Sequence, residues 1–411
     1  MEKNQVKSMV LLMFMEEGIV LPSAFKTLTD DKKYVSNLLA KLTSEGYICN
    51  RRITVKSQNR KYAVTYKAIC PKGVQWLIDN CSDEYPWLRY LPNPVPKFVL
   101  TTGTNSENLN RFLKSISASI IFSNFGIKTF KRSVQTNTSS AKSVNFQKMV
   151  SEAKEQYEQD KIQHGIKTEI NKKYEDIYFH SRDISQYFKL TKDEIQQYKF
   201  STHTGLLISR EKSYFVYTST PRGIKFNSSS VNRARISATH YLFTNSMTEE
   251  QYGAVQKGII FCKNSKEFEL TFKTNKPVEK KKGSVKRESL KQMFHNLFLL
   301  PVCRESMYSL DEILTYQDEL HERAISELMN IDALFKKGKN SVFEMQYNNC
   351  ETLVGIDMDI IKLQNVYDVI TEEQNRDKTY VVVCYEWQKE YYERIMPDNL
   401  HYYTVPIGFI P

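Results

Sequence analysis

The stretch from Val35 to Lys72 constrains the fold of this chain more than any other segment. Val35, Leu38, Leu39 and Leu42 fall at i, i+3, i+4 and i+7, so they line one face of a helix that Gly46 terminates. Thr29 or Asp30 stands where that helix needs an N-cap. Immediately afterwards, Cys49 to Lys56 and Lys61 to Ile69 are rich in β-formers and are separated by the turn residues Ser57, Gln58 and Asn59. Between Cys49 and Lys72 there are seven basic residues (Arg51, Arg52, Lys56, Arg60, Lys61, Lys67 and Lys72) and no acidic one. A helix followed at once by a hairpin of one charge sign is the pattern of a winged helix-turn-helix. In such a unit the helix enters the major groove while a flanking ribbon holds phosphates or reaches the minor groove.

The flanking residues complete the unit. Val6, Met9, Val10 and Met13 predict a first helix from Asn4 to Glu16 that stops near Gly18. A short second helix is expected over Pro22 to Thr27, and a fourth over Gly73 to Asn80. On the third helix, Lys33, Ser36, Asn37, Ala40 and Lys41 lie opposite the apolar stripe. Lys33, Ser36, Asn37 and Lys41 are therefore the expected major-groove residues, with the Asn37 amide matched to adenine. Arg51, Arg52, Lys56, Arg60 and Lys61 are the expected phosphate or minor-groove contacts. The distribution of charge agrees: residues 1–132 carry 20 Lys and Arg against 10 Asp and Glu, whereas residues 133–411 carry 38 against 37. A surplus confined to one segment suits neutralisation of phosphates by a dedicated module. An acidic protein partner would demand the same sign.

The order of three helices, LLAKLTSEGYI (Leu38 to Ile48), basic hairpin, YKAICPKG (Tyr66 to Gly73) and the helical stretch SENLNRFLKSISASIIFSNFG (Ser106 to Gly126) resembles the replication-relaxation type proteins. These are encoded by plasmids and integrative elements of low-GC Gram-positive bacteria. The resemblance covers about the first 130 residues. It implies a winged helix followed by a helix and an α/β region. It also implies double-stranded DNA as partner, in plasmid replication, transfer or transcriptional control, alongside replication or transfer proteins.

Ser133 to Asn145 is rich in Ser, Thr and Asn and reads as a linker. Phe146 to Ile162 reads as a solvent-exposed bridging helix with sparse apolar positions at Met149, Val150, Ala153 and Tyr157. The expected division is a winged-helix domain with helical extension over 1–132, a linker and bridging helix over 133–170, and an α/β domain over 171–411. In that last part TGLLIS (Thr204 to Ser209) and SYFVYTS (Ser213 to Ser219) form a hairpin, with GIKFN (Gly223 to Asn227) as a third strand. A helix over Ser230 to Phe243 precedes strands GIIFC (Gly258 to Cys262) and FELTF (Phe268 to Phe272) and a basic loop over Lys273 to Arg287. Leu290 to Leu300 and Leu310 to Leu334 read as helices, VFEMQY (Val342 to Tyr347) and TLVGI (Thr352 to Ile356) as strands. The chain ends in a β–α–β unit of Tyr380 to Tyr385, Glu386 to Met396 and His401 to Val405, with TYVVVCY (Thr379 to Tyr385) as a buried central strand. The expected fold class is thus α+β and α/β multidomain: an N-terminal winged helix-turn-helix followed by a C-terminal α/β domain with a mixed sheet.

Most enzymatic chemistry lacks its residues. The seven histidines include no His-x-His pair for a rolling-circle nuclease, and there is no G-x-x-x-x-G-K-[ST] loop, G-x-G-x-x-G or H-E-x-x-H. The seven cysteines include no C-x-x-C, so neither a disulfide framework nor a zinc ribbon is expected. No cofactor and no resident metal are implied. One enzymatic alternative stands: a Mg²⁺-dependent nuclease, with Glu344 and Gln346 on one strand and Asp357 and Asp359 after the next. Against it, acidic residues at strand ends also serve as turn and cap residues, and no Lys follows Glu344 at Glu-x-Lys spacing. The reading is a sequence-selective duplex-binding protein rather than an enzyme, with the α/β domain mediating assembly. The nuclease and a protein–protein adaptor are its alternatives, and a homodimer is open. With no apolar run near the ~20 residues of a bilayer span and no signal-peptide pattern, a cytoplasmic location and no membrane partner are expected.

Overall fold

The computed structural model describes residues 3–17, 19–20, 24–25, 28, 31–57, 60–95, 114, 117–123, 127–130, 146–163, 176–181, 204–209, 212–220, 222–226, 228, 231–232, 234, 257–275, 290–338, 342–375 and 377–410. The chain divides into two compact units, Met1–Tyr187 and Phe188–Pro411.

The first unit opens with α1 (Lys3–Glu17), β1 (Ile19–Val20) and α2 (Lys32–Ser44), followed by β2 (Ile48–Ser57), β3 (Arg60–Ile69) and α3 (Pro71–Cys81). Asp31, one position after the expected cap, holds the start of α2: its carboxylate accepts from the amides of Lys33 at 2.8 Å and Tyr34 at 3.1 Å. Gly46, at φ +77°, turns the chain out of the helix. Val35, Leu39 and Leu42 are buried and Leu38 is half-buried, as their spacing requires. β2 and β3 form an antiparallel ladder ten residues long, from Ile48↔Ile69 to Ser57↔Arg60. β1, which has too few residues to show a period, pairs with β3 and gives the sheet order β1-β3-β2. A Cβ on Gly73 would lie 2.4 Å from the Tyr47 carbonyl oxygen, so only glycine lets α3 sit this close to the hairpin base.

Of the short second helix expected over Pro22 to Thr27, only Ala24 and Phe25 are described, in 3₁₀ conformation, and the other four residues lie outside the described ones. One expectation fails in this unit, the solvent-exposed bridging helix: α4 (Phe146–Gln163) buries Met149, Val150 and Ala153 in the same core as α1 and α3. That is why every residue of α1 from Val10 to Met15 is buried and not one stripe alone. Lys154 adds an ion pair to Glu16 at 2.6 Å, and the rings of Tyr157 and Tyr90 lie 6.0 Å apart. The stretch 133–145, read as a linker, lies outside the described residues. A short parallel pair, β4 (Lys128–Phe130) with β5 (Ile177–His180), closes the unit.

In the second unit β6 (Gly205–Ser209), β7 (Lys212–Thr218), β8 (Lys257–Cys262) and β9 (Asn296–Pro301) lie side by side in that order. β6–β7 is the expected hairpin; β7, β8 and β9 run parallel. Between β8 and β9, FELTF is helix and not strand: it belongs to α5 (Ser265–Thr274). Phe268 and Phe272, four apart, both face the core, and Asn264 caps the Glu267 amide at 3.0 Å while the Glu267 carboxylate accepts from the Lys263 amide at 3.0 Å. The apolar alternation that suggests a strand is thus equally an i, i+4 pair, and the cap decides. GIKFN is irregular, because the Asn275 side chain takes its backbone partners: it donates to the Ile224 carbonyl at 2.6 Å and accepts from the Phe226 amide at 3.3 Å. The helix read over Leu290 to Leu300 is instead a 3₁₀ turn (Leu290–Gln292) followed by β9. Of the helix over Ser230 to Phe243 only Val231, Asn232 and Ala234 are described, and they are helical; the loop beyond Asn275 lies outside the described residues.

The chain continues through α6 (Glu305–Tyr316), α7 (Leu320–Ile331), β10 (Phe335–Lys337), β11 (Met345–Tyr347) and β12 (Cys350–Val354). It ends with α8 (Ile360–Thr371), β13 (Tyr380–Tyr385), α9 (Lys389–Ile395) and β14 (Leu400–Val405). These strands form a mixed sheet in the order β10-β11-β12-β13-β14. β10–β11–β12 is an antiparallel meander, whereas β12, β13 and β14 are parallel, so α8 and α9 are crossovers. β13 is buried along its whole length between two parallel neighbours, as its unbroken apolar run implies. Among the described residues, no helix is long and apolar enough to cross a membrane.

Candidate functional site

Two groups of residues in the structure bear on function, one in each unit. In the first, Lys33, Ser36, Asn37 and Lys41 are all exposed on α2, on the side opposite its buried stripe. Lys41, well exposed, lies 3.8 Å from the partly exposed Glu45, a pair worth little in water. Arg52 on β2 is exposed; Arg51 is half-buried, and its Nε has no hydrogen-bond partner. Lys56, Arg60 and Lys61 lie at the tip of the ladder, where Lys56 and Lys61 are register partners. Two further basic residues of the hairpin region are committed to structure. Lys67 donates to Thr43 Oγ1 at 3.0 Å and Asn50 Oδ1 at 2.9 Å, and Lys72 donates to the Glu45 carbonyl at 2.8 Å. They tie the base of the hairpin to the end of α2, whereas Arg51 and Arg52 stand midway along the ladder and Lys56, Arg60 and Lys61 at its tip.

The second group follows from the topology of the mixed sheet. β11 runs antiparallel to β12, so Glu344, just before β11, lies at the same sheet end as Asp357, just after β12. α7 leads into β10, which runs with β12, so the start of α7 reaches that end too, bringing His321. The first turn of α8 adds Lys362. These four side chains converge. His321 Nε2 is 2.6 Å from Asp357 Oδ2, and His321 Nδ1 is 3.8 Å from Glu344 Oε1. Lys362 Nζ is 3.5 Å from Glu344 Oε1 and 4.0 Å from Asp357 Oδ2. Glu344 Oε2 accepts from the Val354 amide at 3.3 Å.

The loop carrying Asp357 is held from every side. Gly355 donates its amide to Val383 O at 2.8 Å, Gln388 Nε2 donates to Ile356 O at 2.7 Å, and the Leu299 amide donates to Met358 O at 3.0 Å. The Tyr392 hydroxyl donates to Gly355 O. Met358 sits at φ +55°, a left-handed conformation that a side chain of this size adopts only where its surroundings impose it. Burial opposes ionisation of Asp357, but the charges of His321 and Lys362 outweigh it and hold the carboxyl well below the usual carboxylate range. Burial and the adjacent Asp357 charge push the Asp359 carboxyl the other way.

Of the four residues that sequence reasoning grouped, Glu344 and Asp357 are brought together. Asp359 is spent on structure: its carboxylate accepts from the amides of Ile361 at 3.0 Å and Leu297 at 3.2 Å and from Asn296 Nδ2 at 2.9 Å, so it caps α8 and pins β9. Gln346 is half-buried within β11, in register with Glu351. No lysine stands at Glu-x-Lys spacing, but Lys362, from the helix after β12, lies beside Glu344. His321 and Lys362 were not singled out by sequence, since neither stands near Glu344 along the chain. Among the described residues, no group of three or more His, Cys, Asp or Glu side chains is arranged to enclose a metal ion. No family model matches the chain, and no curated protein and no solved structure matches it.

Proposed function

We propose that this chain is a sequence-selective double-stranded DNA-binding protein whose N-terminal unit acts as a winged helix-turn-helix. The observation that carries this reading is the exposed face of α2, with Lys33, Ser36, Asn37 and Lys41, beside a hairpin whose ionisable residues from Arg51 to Lys67 include no acid. α2 is the recognition helix, and β2–β3 is the wing. Arg51, Arg52, Lys56, Arg60 and Lys61 neutralise phosphates. Lysines in register, as Lys56 and Lys61 are, weaken an isolated hairpin and favour one that meets an anion. A role in replication, transfer or transcriptional control of a mobile element rests on the resemblance of the first ~130 residues, and the second unit then serves assembly with partner proteins or a second copy.

A second reading is favoured by one observation: Glu344, Lys362 and His321 meet Asp357 at the carboxyl end of parallel strand β12, where Asp357 sits on a heavily pinned loop with Met358 in a left-handed conformation. Carboxylates with a lysine at that position suit divalent-ion-assisted cleavage of a phosphodiester, in which the ion polarises the phosphate and the lysine takes up developing charge.

Titrating the full chain against labelled duplex DNA, with and without Mg²⁺, tests both. Selective binding without cleavage supports the first reading, and Mg²⁺-dependent cleavage lost in Glu344→Gln adds the second. No duplex affinity at physiological salt makes the N-terminal unit a protein adaptor and overturns the proposal.

A further inference from the structure

The five-stranded sheet has two edges, and they are built differently. β10 is three residues long, and two of them, Lys336 and Lys337, are exposed lysines. A short strand carrying lysine is how an edge resists pairing with another chain. β14 has no such protection. Its six residues, Leu400–Val405, include no lysine, acid or proline, and they keep an unbroken register with β13 from Tyr380↔Leu400 to Tyr385↔Val405. The Tyr380 amide donates to Asn399 O at 3.3 Å, and on the other side of β13 the Gly355 amide donates to Val383 O at 2.8 Å. Parallel pairing therefore turns the backbone of His401 and Tyr403 toward β13 and that of Leu400, Tyr402 and Thr404 outward. Among the described residues, no strand pairs with that outer side.

We propose that β14 pairs antiparallel with β14 of a second copy of this chain, about a twofold axis at Tyr402, so that the two sheets become one. This arrangement sets Tyr402 opposite itself and Leu400 opposite Thr404 of the second copy. Each is then a hydrogen-bonded pair that exchanges both bonds, so the same strand satisfies every outward N–H and C=O of these residues. The flanks of the edge are self-complementary as well. On one face Lys389 and Glu393 of α9 lie 3.8 Å apart and about half exposed, with the lysine 5.9 Å from the centre of the Tyr402 ring. Twofold repetition at Tyr402 brings a charge of each sign from both copies to the axis. Apolar side chains lie open nearby. Leu334, 48% exposed, adjoins Phe335, whose ring is 4.9 Å from that of Tyr403, and Ile407, 39% exposed, follows the strand. The proposal names the surface for the assembly that the first reading gives to the second unit, and rests on that reading to this extent.

The test is sedimentation velocity of the full chain, without DNA, over a range of micromolar concentrations. The expected result is a reversible rise from the mass of one chain toward that of two. Thr404 is exposed and its amide points outward, so Thr404→Pro removes a donor of the edge without touching a β13–β14 bond. It should leave a monomer at every concentration with unchanged circular dichroism, while Thr404→Ser still dimerises. Tyr402→Cys gives a second readout that does not depend on proline being tolerated. Opposed Cα atoms in such a pair lie about 5.5 Å apart, within disulfide reach, so mild oxidation should cross-link two copies of this variant and not of the parent. A parent chain that stays monomeric, a dimer that survives in a folded Thr404→Pro chain, or no cross-link in Tyr402→Cys would overturn the proposal. Duplex binding by the same samples separates the two claims. A dimer lost in Thr404→Pro but without duplex affinity keeps the edge and removes the DNA reading, whereas a monomer that binds duplex keeps the reading and removes the edge.

Discussion

The exposed face of α2 takes Lys33, Ser36, Asn37 and Lys41 from nine consecutive positions of one helix, whereas His321, Glu344, Asp357 and Lys362 come from four separate elements. The α2 side chains stand in water with few partners, while the second group is enclosed by a pinned loop and neutralises its own charge. A surface of the first kind costs the fold little and is free to meet a ligand. A cluster of the second kind is part of the fold, so its residues carry stability and chemistry together. Substitutions in the two regions should therefore separate cleanly between binding and folding.

The largest effect is expected at Asp357. Asp357→Ala leaves His321 and Lys362 beside an empty buried position, and urea unfolding should show a loss of about 3–5 kcal/mol. A loss below about 1 kcal/mol would erase the contrast between the regions. Met149→Ala, in α4, should cost about 2–4 kcal/mol of first-unit stability, since Met149 is packed in the core with α1 and α3. A change within about 0.5 kcal/mol, the scale of a surface substitution, would return α4 to solvent.

The comparison is sharpened by pH. Glu312 in α6 is half-buried, and burial first of all, together with the charge of Asp311, pushes its carboxyl up to about 7 even though both oxygens accept from the Tyr385 hydroxyl at 2.7 Å. Its folded-state value lies above the ordinary 4.5, so the folded chain binds the extra proton and stability falls as pH rises from about 4.5 to 7. Glu312→Gln should flatten that fall, by about 1–2 kcal/mol after allowance for solvent screening, in melts at pH 5 and pH 8. A parent chain equally stable at both pH values contradicts this. Smallest is Asp31→Ala, which removes the α2 cap and should cost about 1 kcal/mol while leaving the exposed α2 side chains in place.

The same contrast explains what was legible in the sequence. The α2 stripe, its Gly46 stop and the β2–β3 ladder follow from local period and turn chemistry, and the final β–α–β unit follows from an unbroken apolar run. Where a segment fits two periods, tertiary context decides. Phe268 and Phe272 alternate like strand residues but are helical because Asn264 and Glu267 cap the segment. α4 reads as solvated because its apolar positions are few, yet three of them are buried in the core that α1 and α3 share. Glu344 and Asp357 were visible as acids at strand ends, but Asp359 could not be told from them without seeing which amides it caps. His321 and Lys362 join the cluster only through the meander and the α8 crossover, which no local spacing encodes.

The central claim, that the first unit binds duplex DNA through α2 and the hairpin, is tested most directly by salt dependence. Duplex affinity is measured between 50 and 200 mM salt for the parent chain and for a chain with Arg52, Lys56, Arg60 and Lys61 replaced by Ala. The account predicts weaker binding to every sequence and a slope of log affinity against log salt shallower by about 3–4, close to 0.9 for each phosphate that is no longer neutralised. Equal affinity and equal slope in the two chains would contradict it.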